Sequence, residues 1–473
     1  MSQELIDDSD KSDDDTKKSR DKKNAELARL NDNYSLVMRG SNVMIMREGI
    51  ILETQAREIS FLNKEAFLLY NQNKIVWIDK KKVSVAKDWL EWKNRRQYDN
   101  LVFKPNQPQE IKSGVSFGDA GKQYNLWRGF SFEPQQGGEY DIFLDHLRTN
   151  LCDENEEHYQ WVLAWIADIF QRPQRKNGMA LVMRGKMGVG KGIIASTIGK
   201  LCSKHYMLIS QSSQITGKFN GHLADKILVF LDEPPWAGDK QAEGILRSLI
   251  TEPILAVEHK GKDTITVDSY VRLIMATNHD WAVPVGMEDE RRMAVFDVSE
   301  RQKQNIPYFK GMLTQLSDND NNGYKALLHF FLNHKYDDAT LNKLPLTQAL
   351  LEQKQLSLPR HAQFWQSKLQ DGCFNDENGN DFRFGAEINL NTFYQSYLDF
   401  CSQVREMRPI EKQGLTKRLR NKFAPSIAIR ESNGKRFIVL PEIKIARREF
   451  EEAIGQPINW HEGEIGTMEL PIF

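Results

Sequence analysis

The chain has 473 residues, 27% of them charged, with 64 basic against 65 acidic side chains and a formal net charge of −1. That length holds two or three domains with proper cores, and the near-neutral balance leaves any nucleic-acid contact to local patches. No apolar stretch approaches a membrane span, the start has no signal-peptide pattern, and four scattered cysteines (Cys152, Cys202, Cys373, Cys401) make no metal-ligand spacing, which predicts a protein of a reducing cytoplasm without a membrane partner.

Residues 1–30 run from acidic (Asp7, Asp8, Asp10, Asp13 to Asp15) to basic (Lys17, Lys18, Arg20, Lys22, Lys23) with few apolar side chains, and predict a disordered charged tail. Residues 31–145 mix short strand-like runs (35–46 and 74–78) with aromatics and turns, as a small α/β module does. A helix is predicted from Glu154 to Phe170: Asp153 is placed to cap it, Tyr159, Val162, Ile166 and Ile169 recur at helical spacing, and Pro173 lies just past its end.

Met179 to Arg184 reads as a buried strand, Gly185 to Gly190 as a glycine-rich turn, and Lys191 onward as a helix. Strand, glycine loop, lysine and helix form the arrangement that cradles a nucleoside triphosphate. Backbone N–H groups of Gly185, Gly188, Val189, Gly190, Gly192 and Ile193 would close on phosphate oxygens, with Lys191 on the β- and γ-phosphates. Gly192 stands where a Ser or Thr would ordinarily ligate Mg²⁺, so the metal must be held from elsewhere.

A second apolar run, Lys226 to Leu231, ends in Asp232 and Glu233. A parallel strand delivering two acids at its end suits Asp232 as the Mg²⁺ ligand and Glu233 as the general base for a water attacking ATP. Between Ile254 and Val267 apolar and polar residues alternate on both sides of a Lys-Gly-Lys tip, which predicts a hairpin offering His259, Lys260 and Lys262 to a phosphate backbone. A third strand, Val271 to Asn278, puts Asn278 at its end, placed to sense the γ-phosphate. A fourth begins at Arg291 and Arg292, whose guanidinium groups would reach the triphosphate of a neighbouring subunit.

Towards the C-terminus, residues 346–380 read as a linker or loop region, and 381–473 as a unit of their own. Leu390 to Val404 predicts a helix with Phe393, Tyr397 and Phe400 inward. Gln413 to Phe423 predicts a second, with Leu415, Leu419 and Phe423 inward and Lys417, Arg418, Arg420 and Lys422 outward. Two strand-like runs then flank Ser432-Asn433-Gly434, a hairpin signal. Helix, basic helix and hairpin is the order of a winged-helix domain, which meets duplex DNA through its second helix and its wing.

From 177 to 300 most strongly, and over roughly 31–460 as a whole, this series of motifs resembles the superfamily 3 helicases of phages and plasmids, a branch of the AAA+ ATPases, and within it the helicase part of primase-helicases without the primase-polymerase domain. The resemblance implies an α/β fold with a P-loop AAA+ core and a parallel sheet (146–345, opened by a collar helix) between the N-terminal module and the winged helix. It implies a hexamer that uses ATP and Mg²⁺ to move on single-stranded or forked DNA from 3′ to 5′, in the cytoplasm of a bacterial host, beside a separate primase or polymerase. Two other readings share the loop and the acidic pair: an AAA+ ATPase that loads or remodels a replication protein, and an origin-binding initiator.

Overall fold

A computed structural model describes residues 4–39, 42–50, 57–112, 121–211, 213–217, 219–233, 240–258, 264–283, 285, 291–375 and 381–460. The chain opens with a helix, α1 (Glu4–Asn33), where the charge pattern predicts disorder. Its first turns are polar, so the sequence gives no amphipathic signal. Its last turns are held by tertiary packing: Leu27 and Leu30 are buried against Tyr34, Phe67, Val76 and Trp89, and the Asn31 carboxamide accepts from Trp89 Nε1 (3.2 Å) and the Arg96 N–H (2.7 Å).

The module after it is built from β1 (Tyr34–Arg39), β2 (Asn42–Ile50), β3 (Arg57–Leu62), α2 (Lys64–Tyr70), β4 (Ile75–Ile78), β5 (Lys81–Ser84) and α3 (Val85–Glu91), followed by the short strands β6 (Gln97–Tyr98), β7 (Asn100–Val102), β8 (Glu110–Lys112) and β9 (Lys122–Asn125). Its largest sheet runs β3-β2-β1-β6, with β4 and β5 a separate hairpin.

A short helix, α4 (Asp141–Asp145), widens into a π-helical turn at His146–Leu151 and is followed by α5 (Glu156–Gln171). The predicted cap of α5 is corrected by two residues. Asp153 and Glu154 take left-handed backbone, and the cap is Asn155, whose side chain accepts from the His158 N–H at 3.0 Å. The helix is apolar nearly all round, from Tyr159 to Phe170, and is buried in its own core: Trp161 Nε1 donates to Leu341 O and Trp165 Nε1 to Met179 O, each at 3.1 Å.

The central layer follows as β10 (Ala180–Arg184), α6 (Lys191–Leu201), β11 (Tyr206–Ile209), α7 (Ser213–Thr216), β12 (Leu228–Asp232), α8 (Lys240–Thr251), the hairpin β13 (Ile254–Val257) and β14 (Ile265–Asp268), β15 (Arg272–Thr277) and β16 (Met293–Asp297). The sheet order is β11-β12-β15-β10-β16, with every pair parallel. Both of its faces are covered, which is why these strands read as unbroken apolar runs and not as alternation. The predicted hairpin forms with Ile254 opposite Asp268, while its tip residues His259, Lys260 and Lys262 lie outside the described residues.

Beyond the sheet come α9 (Ile306–Asn333, interrupted at 318–321), α10 (Asp338–Asn342), α11 (Gln348–Leu356) and α12 (Arg360–Asp371). The stretch predicted as a linker is therefore largely helical. Phe364, Trp365 and Leu369 of α12 sit in the C-terminal core, so that unit begins well before residue 381. It continues with β17 (Cys373–Asn375), β18 (Asp381–Arg383), β19 (Glu387–Asn389), α13 (Leu390–Gln403), α14 (Lys412–Arg418) with a widened turn over Leu419–Phe423, β20 (Ala428–Ser432), β21 (Lys435–Val439) and α15 (Ile443–Ile454). The β20–β21 turn has Asn433 at φ 49° and Gly434 at φ 69°, the two positive values of a type I′ turn.

Candidate nucleotide site

Parallel strands collect their following loops at one edge of the sheet, and here the loops after β10, β12 and β15 meet there. The turn from β10 into α6 takes positive φ at Gly185, Gly188 and Gly190. Gly190 has a second reason to be glycine: an added Cβ would stand 2.4 Å from His146 Nε2. Val189 is buried, Ile193 half-buried, and Gly192 faces open space in the first turn of α6.

Lys191 is only 8% exposed. Its ammonium donates to the carbonyls of Gly185 and Lys186 (3.0 Å to the second) and to Asn278 Oδ1 at 2.7 Å. Burial lowers its pKa, opposed by the charges of Glu233 and Asp232. Asn278 in turn donates from Nδ2 to Glu233 Oε1 at 2.8 Å, and Thr277 Oγ1 donates to Glu233 Oε2 at 2.9 Å. A lysine donor on one side and a carboxylate acceptor on the other fix which way the Asn278 amide points. Lysine, asparagine and glutamate thus form a continuous chain of hydrogen bonds, which strand order explains: β15 lies between β10 and β12.

Glu233 takes φ 58°, a left-handed conformation held by its own N–H to Ala276 O (2.9 Å) and by those two side-chain donors. Such strain is of the order of 1–3 kcal/mol and persists where the surroundings enforce it. Asp232, the last residue of β12, is exposed. Among the described residues no three His, Cys, Asp or Glu side chains cluster as a metal cage. Asp232 and Glu233 are both exposed, and two accessible carboxylates fit Mg²⁺, which keeps several waters and takes phosphate oxygens as partners.

Sequence reasoning missed the groups behind the loop. His146 is fully buried with its Nε2 against Gly190, its Nδ1 lies 3.4 Å from Tyr308 Oη, and burial pushes its pKa down to about 4. An irregular π turn leaves no periodic signal by which to find it. Arg184, next to Gly185, clamps Asp297 (2.5 and 2.6 Å) and also bonds Glu352 of α11 and Asp280 O (3.1 Å). Burial works against its charge, but the hydrogen bonds of Asp297 and Glu352 outweigh it and hold the guanidinium above its ordinary pKa. Gln353, wholly buried, accepts from the Ala282 N–H (2.7 Å) and the Val283 N–H (3.3 Å) and donates to Asp280 O (2.7 Å), which fastens the loop just past Asn278.

Arg291 and Arg292 are not part of this cluster. Ala180 pairs with Met293 at the start of β10, so the arginines stand at the other edge of the sheet, about 20 Å of strand from the glycine loop. Arg291 is exposed and Arg292 half-buried. In the C-terminal unit Leu415, Leu419 and Phe423 are buried, Lys417, Arg418 and Arg420 are exposed, and Lys422 is half-buried with its Nζ 6.0 Å from the Phe423 ring centre.

Residues 183–292 match a protein family of unknown function, DUF5906. A 165-residue stretch, 34% of this chain, is 26% identical to the DNA primase-polymerase of Nitratiruptor phage NrS-1 and spans 23% of that relative. The mixed α/β fold with its parallel sheet resembles the NrS-1 C-terminal region. One apo structure of that region gives a TM-score of 0.60 at 15% identity over 87% of this chain and 97% of that one. Its A-form apo structure gives 0.59 at 16%, over 88% and 98%. At these identities the likeness is one of fold.

Proposed function

We propose that the chain is an ATP-driven DNA motor in phage-type replication, a ring helicase of the superfamily 3 kind with a P-loop AAA+ core and a C-terminal winged helix. The observation that carries this reading is the hydrogen-bonded chain Lys191–Asn278–Glu233 at the end of the glycine loop. All three ammonium protons of Lys191 go to protein acceptors. A γ-phosphate oxygen taking one of them frees Asn278 Oδ1, and the Asn278 amide can then turn its N–H from Glu233 to the phosphate. Glu233 then has Oε1 free to accept a proton from an attacking water. In this scheme the base is released only when triphosphate is in place. Asp232 would hold Mg²⁺, which when bound neutralises charge on the phosphate oxygens.

Arg291 and Arg292 are too far along the strand to serve the site of their own subunit, so they would act on a neighbour's phosphate in a ring. The alternating pattern that forms β13 and β14 supports a loop that grips single-stranded DNA, and the exposed face of α14 supports a duplex contact. Winged-helix topology is further supported by the sheet order β19-β21-β20 beside α13 and α14. The kinship with a phage primase-polymerase supports a replication role in the host cytoplasm beside separate primase or polymerase activities.

The test is ATP turnover with and without oligo(dT), together with displacement of a labelled strand from forks with either overhang. We expect DNA to stimulate turnover and only a fork with a 3′ tail to be opened; Lys191→Ala ends both. Turnover indifferent to DNA favours a protein-remodelling ATPase, and Lys191→Ala turning over at the parent rate sinks the site assignment.

A further inference from the structure

The hairpin of β4 and β5 carries a side chain that the rest of the molecule does not use. Trp77 is 62% exposed, and among the described residues no other tryptophan is exposed to this degree. Strand alternation explains the direction: Val76 turns into the core with Leu27, Phe67 and Trp89, so Trp77 turns out. Its cross-strand partner is Lys82, on the same outward face. The two-residue turn is Asp79-Lys80, with φ 49° and 60°, so a lysine occupies the left-handed position where glycine is preferred and stands at the tip. Lys80, Lys81 and Lys82 are exposed, and none makes an ion pair with a described residue. Asp79, which has an interaction of its own, is the single acid between Lys74 and Lys87. Helix α1 packs against β4 and brings exposed Lys17, Arg20 and Lys22 to the same module, with Asp21 between them.

We propose that this hairpin is a contact site for single-stranded nucleic acid, with a base stacked on the Trp77 indole and the flanking phosphates met by Lys80 and Lys82. An indole face accepts any base that is not already stacked, and lysines beside it neutralise the backbone without reading sequence. Duplex DNA offers this site phosphates but no free base face, so the single strand is preferred. A protein partner would bring its own apolar surface to Trp77 but has no general need of the three unpaired lysines. The site does not rest on the nucleotide reading; it adds a second point of grip on a module for which the sequence suggests no role.

The experiment uses the full chain and fluorescently labelled oligo(dT), read by anisotropy over a salt series. Trp77→Ala should weaken binding about tenfold, within the range expected of one lost base stack, while Trp77→Phe keeps most of it. Lys80→Asn with Lys82→Thr should flatten the plot of log affinity against log salt by about 1.4, about 0.7 for each released phosphate contact on a single strand. Asn tolerates the left-handed turn position and Thr suits a strand, so neither change threatens the hairpin. Turnover without DNA and the assembly state by light scattering should match the parent. Unchanged affinity and salt slope would overturn the proposal, as would Trp77→Ala dissociating an assembly while oligo(dT) affinity stays the same, because the face would then be a protein contact. A chain with no ATP turnover that still loses oligo(dT) on Trp77→Ala would retain this site and discard the motor.

Discussion

At the C-terminal end of the parallel sheet, buried Lys191 is linked to Asn278 and Glu233, which reach the surface, with the glutamate in left-handed backbone. At the N-terminal end, Arg272 of β15 is buried together with Asp168 of α5, 3.0 Å apart. Arg272 Nη2, the atom of that contact, also donates to Arg172 O (2.9 Å) and Arg175 O, and Tyr336 Oη donates to Asp168 at 3.1 Å. Arg272 Nε and Nη1 are buried without a hydrogen-bond partner among the described residues. Both clusters bind charge to charge across neighbouring elements. The first uses acceptors that a phosphate can replace and sits where loops converge; the second is buried, with main-chain carbonyls gathered on Arg272 Nη2. One end of the sheet is therefore arranged for exchange of partners and the other for permanence, although β15 belongs to both.

The sharpest way to break this contrast is at the exchangeable end. Glu233→Gln keeps the shape and the Thr277 contact but removes the base, so turnover should fall by about 10²–10⁴ while ATP affinity, read with a fluorescent analogue, stays within a few-fold. A parent-like rate would assign the base elsewhere. At the permanent end the expected effect is on stability. Asp168→Ala leaves the Arg272 guanidinium buried without its counter-charge and should lower unfolding free energy by about 3–5 kcal/mol, read from the urea midpoint at constant slope. ATP affinity measured well below that midpoint should not change, and if it falls the two ends are not separable.

Acid probes both ends with a smaller effect. Burial lowers the pKa of His146, behind the glycine loop, and of His205, just before β11 at the opposite end, each to about 4. The unfolded chain takes up these protons near pH 6.5 and the folded chain does not until about pH 4. The stability associated with each neutral ring is thus fully present above pH 6.5 and lost as pH falls toward 4, by roughly 3 kcal/mol per histidine. His146→Gln and His205→Gln should each reduce the slope of unfolding free energy between these values. A slope left unchanged by both would mean that the rings are solvated in the fold.

The glycine loop, its lysine and the acids after β12 were legible because each is a run of adjacent residues whose spacing carries the chemistry. The C-terminal helices and hairpin were legible for the same reason, since Leu415, Leu419 and Phe423 repeat at helical spacing and Asn-Gly marks its turn. The groups behind the loop were not. His146, Arg184 and Gln353 serve it from a π turn, a strand end and a helix in the predicted linker, and only three-dimensional proximity makes them neighbours. The helical state of residues 4–33 was hidden because two buried leucines, not composition, anchor it.

By itself, the amino-acid sequence determined the local elements: which runs are strands, where glycine permits the turn before Lys191, and which face of each amphipathic helix goes inward. These follow from periodicity and from backbone freedom, which are properties of neighbouring residues. Only the tertiary structure decided that β15 lies between β10 and β12, and so that Asn278 bridges Lys191 and Glu233. It also decided that the paired arginines stand at the far edge and that Trp77 is left facing water. Strand order and exposure depend on which apolar faces find one another across the whole chain, and no spacing within a single segment encodes that choice.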